Sequence, residues 1–463
     1  MRENFTVMLI RFTIDNILSF GEQKVFHMLP NAKLGTLQSH IYPFQNFEVL
    51  KLSAIYGANG AGKSNLVKSL DMLRYLVTEE SMPQKLKNGQ FKFQNNKKKK
   101  AQLLAIEFMQ DNTVFYYAVE IKEGVILTEE LYELGLNVKP DALIFERKTD
   151  ENNASTLQFS ENFEKDEKTP FFKDVLLDFV KPNKPILKLI ANRDIEDLRI
   201  VKKAYEWFDE VLTIITPQSR PAALAHQIDI DVDFNTFAND IMSSFNIGIV
   251  ELFVEKKTIE EFFGKGNEEK LREEVEKSPK KMIGIRMNDR EEILLVKEGD
   301  EIIVKTLQIR HKGAENITAT FGTDEESDGT VRLLDFVPAF KNLVAKSRVF
   351  VIDEIERSIH PLLIKELVNK FSMDSNTKGQ LIFTTHESNL LDQNIFRQDE
   401  IWFAEKDETG STDLYSLNAF KEHKTIDIQK GYLNGRYGSI PFLGNLQDLN
   451  WHDYAHQDSL IHA

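Results

Sequence analysis

Eight consecutive residues constrain this chain more than any other stretch: Gly57-Ala58-Asn59-Gly60-Ala61-Gly62-Lys63-Ser64 matches the pattern G-x-x-x-x-G-K-[ST] in full. Before it, Val49 to Tyr56 reads as a short strand, and after it Ser64 to Leu76 places apolar residues at helical spacing. The sequence thus predicts a strand, a glycine-rich turn and a helix. In that setting, glycines let backbone N–H groups and the helix start face phosphate oxygens, which a side chain would block. Lys63 adds a cation at the β- and γ-phosphates, and the Ser64 hydroxyl is a ligand for Mg²⁺.

A second motif lies far downstream. Val349-Phe350-Val351-Ile352-Asp353-Glu354 is an apolar strand ending in two acids. Asp353 is expected to hold the Mg²⁺ shell and Glu354 to polarise the attacking water. Their distance from Lys63 is too great for a compact nucleotide kinase and suits an ATPase with a large insertion. Three further pieces fall in order around that strand. Glu326-Ser327-Asp328-Gly329-Thr330 precedes the helical pattern Val331 to Val344, so Ser327, Gly329 and Thr330 stand at an anion-binding helix start. Ile355-Glu356-Arg357-Ser358-Ile359-His360-Pro361 follows the acids. The buried-type strand Leu381 to Thr384 then runs into Thr385-His386-Glu387, placing His386 where it can sense or orient a γ-phosphate.

The rest of the chain sets the frame. With 463 residues, two or three domains are expected, and 41% hydrophobic residues suffice for a sizeable core. The opening strands and the β-rich runs from Leu103 to Phe145 suggest an antiparallel meander within a first lobe, 1–165. Residues 166–282 read as a helical insertion or arm, with Thr258 to Lys281 highly charged. The C-terminal lobe, 283–463, holds a strand-helix-strand unit of the kind that builds a parallel sheet. The expected fold class is α/β. The absence of cysteine excludes disulfides, Cys-ligated metal and thiol chemistry. A net charge of −15 argues against a surface that coats nucleic acid indiscriminately. No apolar run spans a bilayer and the start lacks the core of a secretion signal, so a cytoplasmic location is expected.

Taken in order, residues Gly57 to Ser64, Glu326 to Thr330, Asp353-Glu354, Ser358 to Pro361 and Thr384-Thr385-His386 resemble the ABC-type ATPase heads of the RecF, SMC and OLD group. More narrowly, these motifs and the closing Gly435-Arg436-Tyr437-Gly438-Ser439-Ile440-Pro441 resemble bacterial abortive-infection ATPases of the AAA class, including those of PARIS-type antiphage systems. The resemblance implies an ATP site, with Mg²⁺, completed by a second copy in a homo-oligomer. Ser327 and Gly329 of one copy would contact the γ-phosphate held at Gly57 to Ser64 of another, and Ser358 to Pro361 would link the sites. It also implies a glutamine ligand for Mg²⁺, with Gln110 the first candidate and Gln94 the second. OLD nucleases carry a Toprim domain after the ATPase. The stretch after His386 has no Asp-x-Asp pair, so an effector such as a Toprim-type nuclease is expected on a partner chain. The alternative is a RecF- or SMC-like DNA-processing ATPase that binds nucleic acid.

Other signals have plainer readings. Asp229, Asp231 and Asp233 alternate as on a strand face, and a solvated acidic edge outweighs a metal site there. His452 and His456 have helical spacing, and read as part of a surface tail. Lys256-Lys257, Lys270, Arg272, Lys277, Lys280 and Lys281 are interleaved with acids, as on a solvated helical arm. Asn95-Asn96-Lys97-Lys98-Lys99-Lys100 reads as a loop tip.

Overall fold

The computed structural model describes residues 7–440, apart from 45, 94–99, 137, 166–168, 194–195, 265, 267, 289, 421 and 423–425. The chain opens with β1 (Val7–Asp15), β2 (Lys24–His27) and a hairpin of β3 (Ile41–Pro43) and β4 (Glu48–Leu50). β5 (Leu52–Tyr56) leads through the glycine-rich turn into the helix Lys63–Glu79, as the periodicity predicts. β6 (Gln102–Gln110), β7 (Thr113–Lys122), β8 (Val125–Glu133), β9 (Ala142–Thr149) and β10 (Ser155–Phe159) then pair in succession. With β1 and β2 they form an antiparallel sheet in the order β10-β9-β8-β7-β6-β1-β2. Its turns have a local cause. Asp111-Asn112 between β6 and β7, and Glu123-Gly124 between β7 and β8, all take positive φ, the two-residue turn whose twist matches paired strands.

β11 (Leu212–Ile215) is followed by a third sheet of β12 (Ile249–Thr258), β13 (Met282–Arg286), β14 (Glu292–Glu298), β15 (Glu301–Lys312) and β16 (Thr318–Gly322), all paired antiparallel. β17 (Val349–Ile352), β18 (Gln380–Thr385), β19 (Ile401–Lys406) and β20 (Thr412–Ser416) complete the core sheet. Its order is β11-β17-β18-β5-β19-β20, parallel except at β20. The fold is of the expected α/β class, with an antiparallel region beside a parallel core.

Residues 166–282 are mostly helical, as expected, but they do not stand apart from the sheets. β11 from that stretch is the edge of the core sheet, and the sheet opened by β12 continues past residue 282 to β16. Ile249-Val250-Glu251-Leu252-Phe253-Val254 is rich in β-branched and aromatic residues, and pairing with β15 along its length outweighs any local helical pattern. Helices are present beside it, at Leu224–Ile230, Val232–Ser244 and Glu268–Lys277.

The core sheet is covered on both faces, and every residue of β5, β17 and β18 is buried. Ile55, Val351 and Ile382 pack with Leu66, Val67 and Leu70 of the helix Lys63–Glu79 and with Leu9 and Phe12 of β1. Ala54, Phe350, Ile352 and Phe383 share the opposite core with the helices Asp328–Ala345 and Pro361–Met373. Gln380 stitches the two large sheets: its side chain accepts from Leu9 N at 2.9 Å and donates to Leu9 O at 3.1 Å and Leu50 O at 2.8 Å.

A buried ion pair anchors the connection out of the antiparallel sheet. Arg147 and Glu129 lie 3.7 Å apart with both side chains fully buried. Arg147 donates to the carbonyls of Lys181 and Lys184, while Glu129 accepts from Ile186 N, Leu187 N and Tyr117 OH. Removing one partner strands a charge. Arg147→Met is therefore expected to lower the unfolding free energy in urea by about 3–5 kcal/mol, and the double variant Glu129→Gln/Arg147→Met by clearly less.

Candidate functional site

Two glycines show why the loop and helix starts must be glycine where they are. Gly62 caps the helix Lys63–Glu79 at φ 112°, and a Cβ there would sit 2.1 Å from Thr412 Oγ1 of β20. Gly329 stands in the first turn of the helix Asp328–Ala345, where a Cβ would lie 2.7 Å from the Ser358 carbonyl oxygen.

Lys63 is 5% exposed and turned back on its own loop. Its Nζ donates to Gly57 O at 2.7 Å and Ala58 O at 3.1 Å, and lies 3.1 Å from His386 Nδ1. Burial pulls the ammonium down to about 8, against the pull of the acids Glu356, Asp353 and Glu354. Burial, and then the charge of Lys63, also hold His386 below the usual imidazole range. His386 is thus poised as a neutral ring.

Ser64 and Asp353 are 289 residues apart in sequence and 3.0 Å apart in space, with Ser64 Oγ donating to Asp353 Oδ1. The same carboxylate oxygen accepts from Thr384 Oγ1 at 2.7 Å, and the Asp353 N–H donates to Ile215 O of β11. Thr384 also accepts from the Glu354 N–H at 2.8 Å. Glu354 takes φ 51°, which ends β17 sharply and leaves its carboxylate one-third exposed beside Arg357. Glu356, two residues on, accepts from His386 N at 2.6 Å through Oε1, while its buried Oε2 has no partner among the described residues. Burial pushes this carboxyl above the usual range.

Ser327 caps the helix Asp328–Ala345 by accepting from Thr330 N at 3.1 Å, with the Thr330 hydroxyl 3.0 Å away. The contact of Gly329 with Ser358 joins this helix start to the turn 358–361 of the same chain. There Ser358 has φ 64°, and His360 caps the helix Pro361–Met373 through its Nδ1. Among the described residues no hydrogen bond or ion pair joins Ser327–Thr330 to residues 57–64. Ala58, Asn59, Gly60 and Ala61 instead line a cleft of about 530 Å³ with Glu405, Lys406, Gly435, Gly438, Ser439 and Ile440. Ser439 N donates to Glu405 Oε2 at 2.7 Å, which brings the closing glycine-rich stretch to the loop. Pro441 lies outside the described residues.

The structure does not bring Gln110 to this site. Gln110 ends β6 opposite Val7, two residues from Leu9, which bonds Gln380 at the start of β18. That is the amino end of the parallel strands, whereas residues 57–64 and Asp353 stand at the carboxyl end. Strand register, invisible in the sequence, decides it. Gln94, residues 95–99, His452 and His456 lie outside the described residues; Lys100 pairs with Asp15. Asp229, Asp231 and Asp233 are not on a strand. Asp229 lies in the helix Leu224–Ile230 and pairs with Lys256 and Lys305, Asp231 caps the helix Val232–Ser244, and Asp233 is in its first turn. Lys256 and Lys257 stand on β12 rather than a helix. Thr384 and Glu356 fell inside motifs legible in the sequence, but their hydrogen bonds are tertiary.

The donors fit a hydrated Mg²⁺. Among the described residues no three His, Asp or Glu side chains cluster to hold a metal by themselves. A hydroxyl and one carboxylate at hydrogen-bond distance match an ion that keeps waters and takes phosphate oxygens.

Residues 52–392 match the family described as "AAA domain, putative AbiEii toxin, Type IV TA system", and the chain belongs to that family of AAA domains. No curated protein matches it. Among solved structures, an SMC head bound to the C-winged helix domain of ScpA is similar at 13% identity, covering 89% of this chain and 99% of that one, with a TM-score of 0.43. The SMC head domain from Thermotoga maritima gives 12% identity, 88% and 98% coverage and a TM-score of 0.35. The Smc head with an extended coiled coil bound to the C-terminal domain of ScpA, derived from Pyrococcus furiosus, gives 13%, 90% and 98%, and 0.41. No helix among the described residues is long and apolar enough to cross a membrane.

Lys63 yields a pH prediction. With its pKa lowered to about 8, the ammonium in the free protein loses its proton above that pH, and phosphate contact raises the pKa again. ATP binding at pH 9 should therefore take up about one proton, and affinity should fall as pH rises above 8. Calorimetry in buffers of different ionisation enthalpy reads this directly. Lys63→Arg should abolish the uptake; an unchanged heat across buffers would contradict it.

Proposed function

We propose that this chain binds ATP with Mg²⁺, hydrolyses it at a site completed by a second copy, and uses that cycle to hold and release an effector in antiphage defence. The observation that carries the reading is Asp353 Oδ1, which accepts from both Ser64 and Thr384 and so joins the phosphate loop to the paired acids. Gly57 to Gly62 present backbone N–H groups to the phosphates. Lys63 exchanges its loop carbonyls for β- and γ-oxygens. Ser64 and Asp353 would hold Mg²⁺, which would neutralise charge developing on the transferred phosphoryl group. Glu354, turned out of β17 and reachable by water, takes the proton of the attacking molecule. His386, fixed by Glu356 and touching Lys63, reads the γ-phosphate.

The need for a second copy is supported by the helix start at Ser327. Ser327 is exposed, and the Gly329 beside it packs closely against the Ser358 turn rather than against its own phosphate loop. Leu362, 62% exposed beside that turn, adds apolar area for a neighbour. Occupied ATP thereby becomes an assembly signal, because the interface gains contacts that hydrolysis removes. A defence role is supported by the family description, which names a toxin of a type IV toxin–antitoxin system. The effector in this reading is a partner protein, such as a Toprim-type nuclease.

Lys63→Ala is expected to abolish ATP binding. Glu354→Gln should keep binding while turnover falls by about 10²–10⁴-fold, trapping ATP-bound assemblies visible by light scattering. Wild-type turnover in Glu354→Gln would remove that residue from the water-activating role. Copurification of the trapped form with the product of the neighbouring reading frame tests the effector assignment.

A further inference from the structure

The helix start that would receive a neighbour's γ-phosphate is crowded with negative charge. Asp324, Glu325, Glu326 and Asp328 all fall within the five residues that lead into the helix Asp328–Ala345. Left alone, these carboxylates oppose an approaching triphosphate, since like charges at contact distance repel and a partly desolvated interface screens them poorly. The structure answers them from the third sheet. Arg290, on the turn 287–291 between β13 and β14, places Nη2 at 2.6 Å from Asp328 Oδ1, and its Nη1 donates to Glu326 O at 3.0 Å. His311 of β15 places Nε2 at 2.6 Å from Glu326 Oε1. Glu325 turns away to accept from Gly322 N at 2.8 Å. The guanidinium thus touches both sides of Ser327, the residue whose hydroxyl caps the helix.

We propose that Arg290 is a positioning residue that serves the ATP site of a neighbouring copy: it neutralises Asp328 and grips the Glu326 carbonyl, so that the Ser327–Gly329 helix start accepts a γ-phosphate. The inference rests on the two-copy reading given above. It assigns a task to the third sheet, which contributes none of the residues 57–64, 353–354 or 386. The sheet carries the guanidinium that makes an acidic signature able to receive an anion. Any partner that shifts the β13–β14 turn would then change hydrolysis at a phosphate loop it never touches.

Three measurements test this. Arg290→Ala should leave ATP affinity at its own phosphate loop and thermal stability unchanged, yet lower turnover and ATP-driven assembly by at least about tenfold. Arg290→Ala/Asp328→Asn should recover most of the lost turnover, because the uncompensated charge is gone. A residue that merely ties the loop in place would not be rescued by deleting its partner. Finally, mixing Arg290→Ala with Lys63→Ala should give activity that neither has alone, near about a quarter of wild type if copies pair at random as dimers. The mixed pair then joins an intact phosphate loop to an intact Arg290 of the other copy. The control is Ser327→Arg mixed with Lys63→Ala. If the control complements and the Arg290 mixture does not, or if the Asp328→Asn double variant stays as slow as the single one, the role of Arg290 is overturned while the two-copy site stands. If neither mixture complements, the two-copy site fails and the inference falls with it.

Discussion

The hydrogen bonds at Asp353 Oδ1 are the constraint on which the rest of this structure depends. One carboxylate oxygen receives the hydroxyls of Ser64 and Thr384, and three separate stretches of chain meet there. They can meet only because β5, β18 and β17 are neighbours in a parallel sheet, with registers that bring Tyr56, Thr385 and Ile352 to the same edge. Parallel strands need long crossovers, and those crossovers supply the helices that bury both faces of the sheet. The site and the core are in this sense one construction.

At that edge one buried ammonium faces three acids. Lys63 is buried against carbonyls and a neutral imidazole, with Glu356, Asp353 and Glu354 near enough to offset part of the cost. Glu356 ties the end of β17 to the end of β18 through His386 N, yet leaves one buried oxygen without a partner among the described residues. Groups held away from their preferred partners respond readily when an anion and a cation arrive, since new contacts replace weak ones rather than strong ones.

The third sheet changes how the insertion is understood. It is not a free arm, because β12 to β16 form a sheet whose residues Arg290 and His311 contact the acids around Ser327. The helix Asp328–Ala345 is held from the other side as well: Arg332 donates to Thr216 O and Ser219 O, and Asp335 accepts from Arg220. The loop so gripped follows β11, whose Ile215 O receives the Asp353 N–H. A continuous set of polar contacts therefore runs from the acids of the core sheet to the helix start that faces outward.

The sequence by itself determined the parts whose chemistry is local. A glycine-rich turn between strand and helix, an apolar strand ending in two acids, and small residues at a helix start each depend on a few adjacent residues, so spacing and side-chain type reveal them. The antiparallel meander was legible for the same reason, through its alternation and turns. What only the tertiary structure decided are quantities set by register and by long-range pairing. Gln110 fell at the wrong end of the sheet because strand direction is not written in a strand. Residues 166–282 are mostly helical as their periodicity predicts, and β11 and β12 became strands within them because they pair with β17 and β15. Arg290, His311 and Thr384 acquired their contacts from neighbours far along the chain, and no local pattern specifies a partner that only folding brings near.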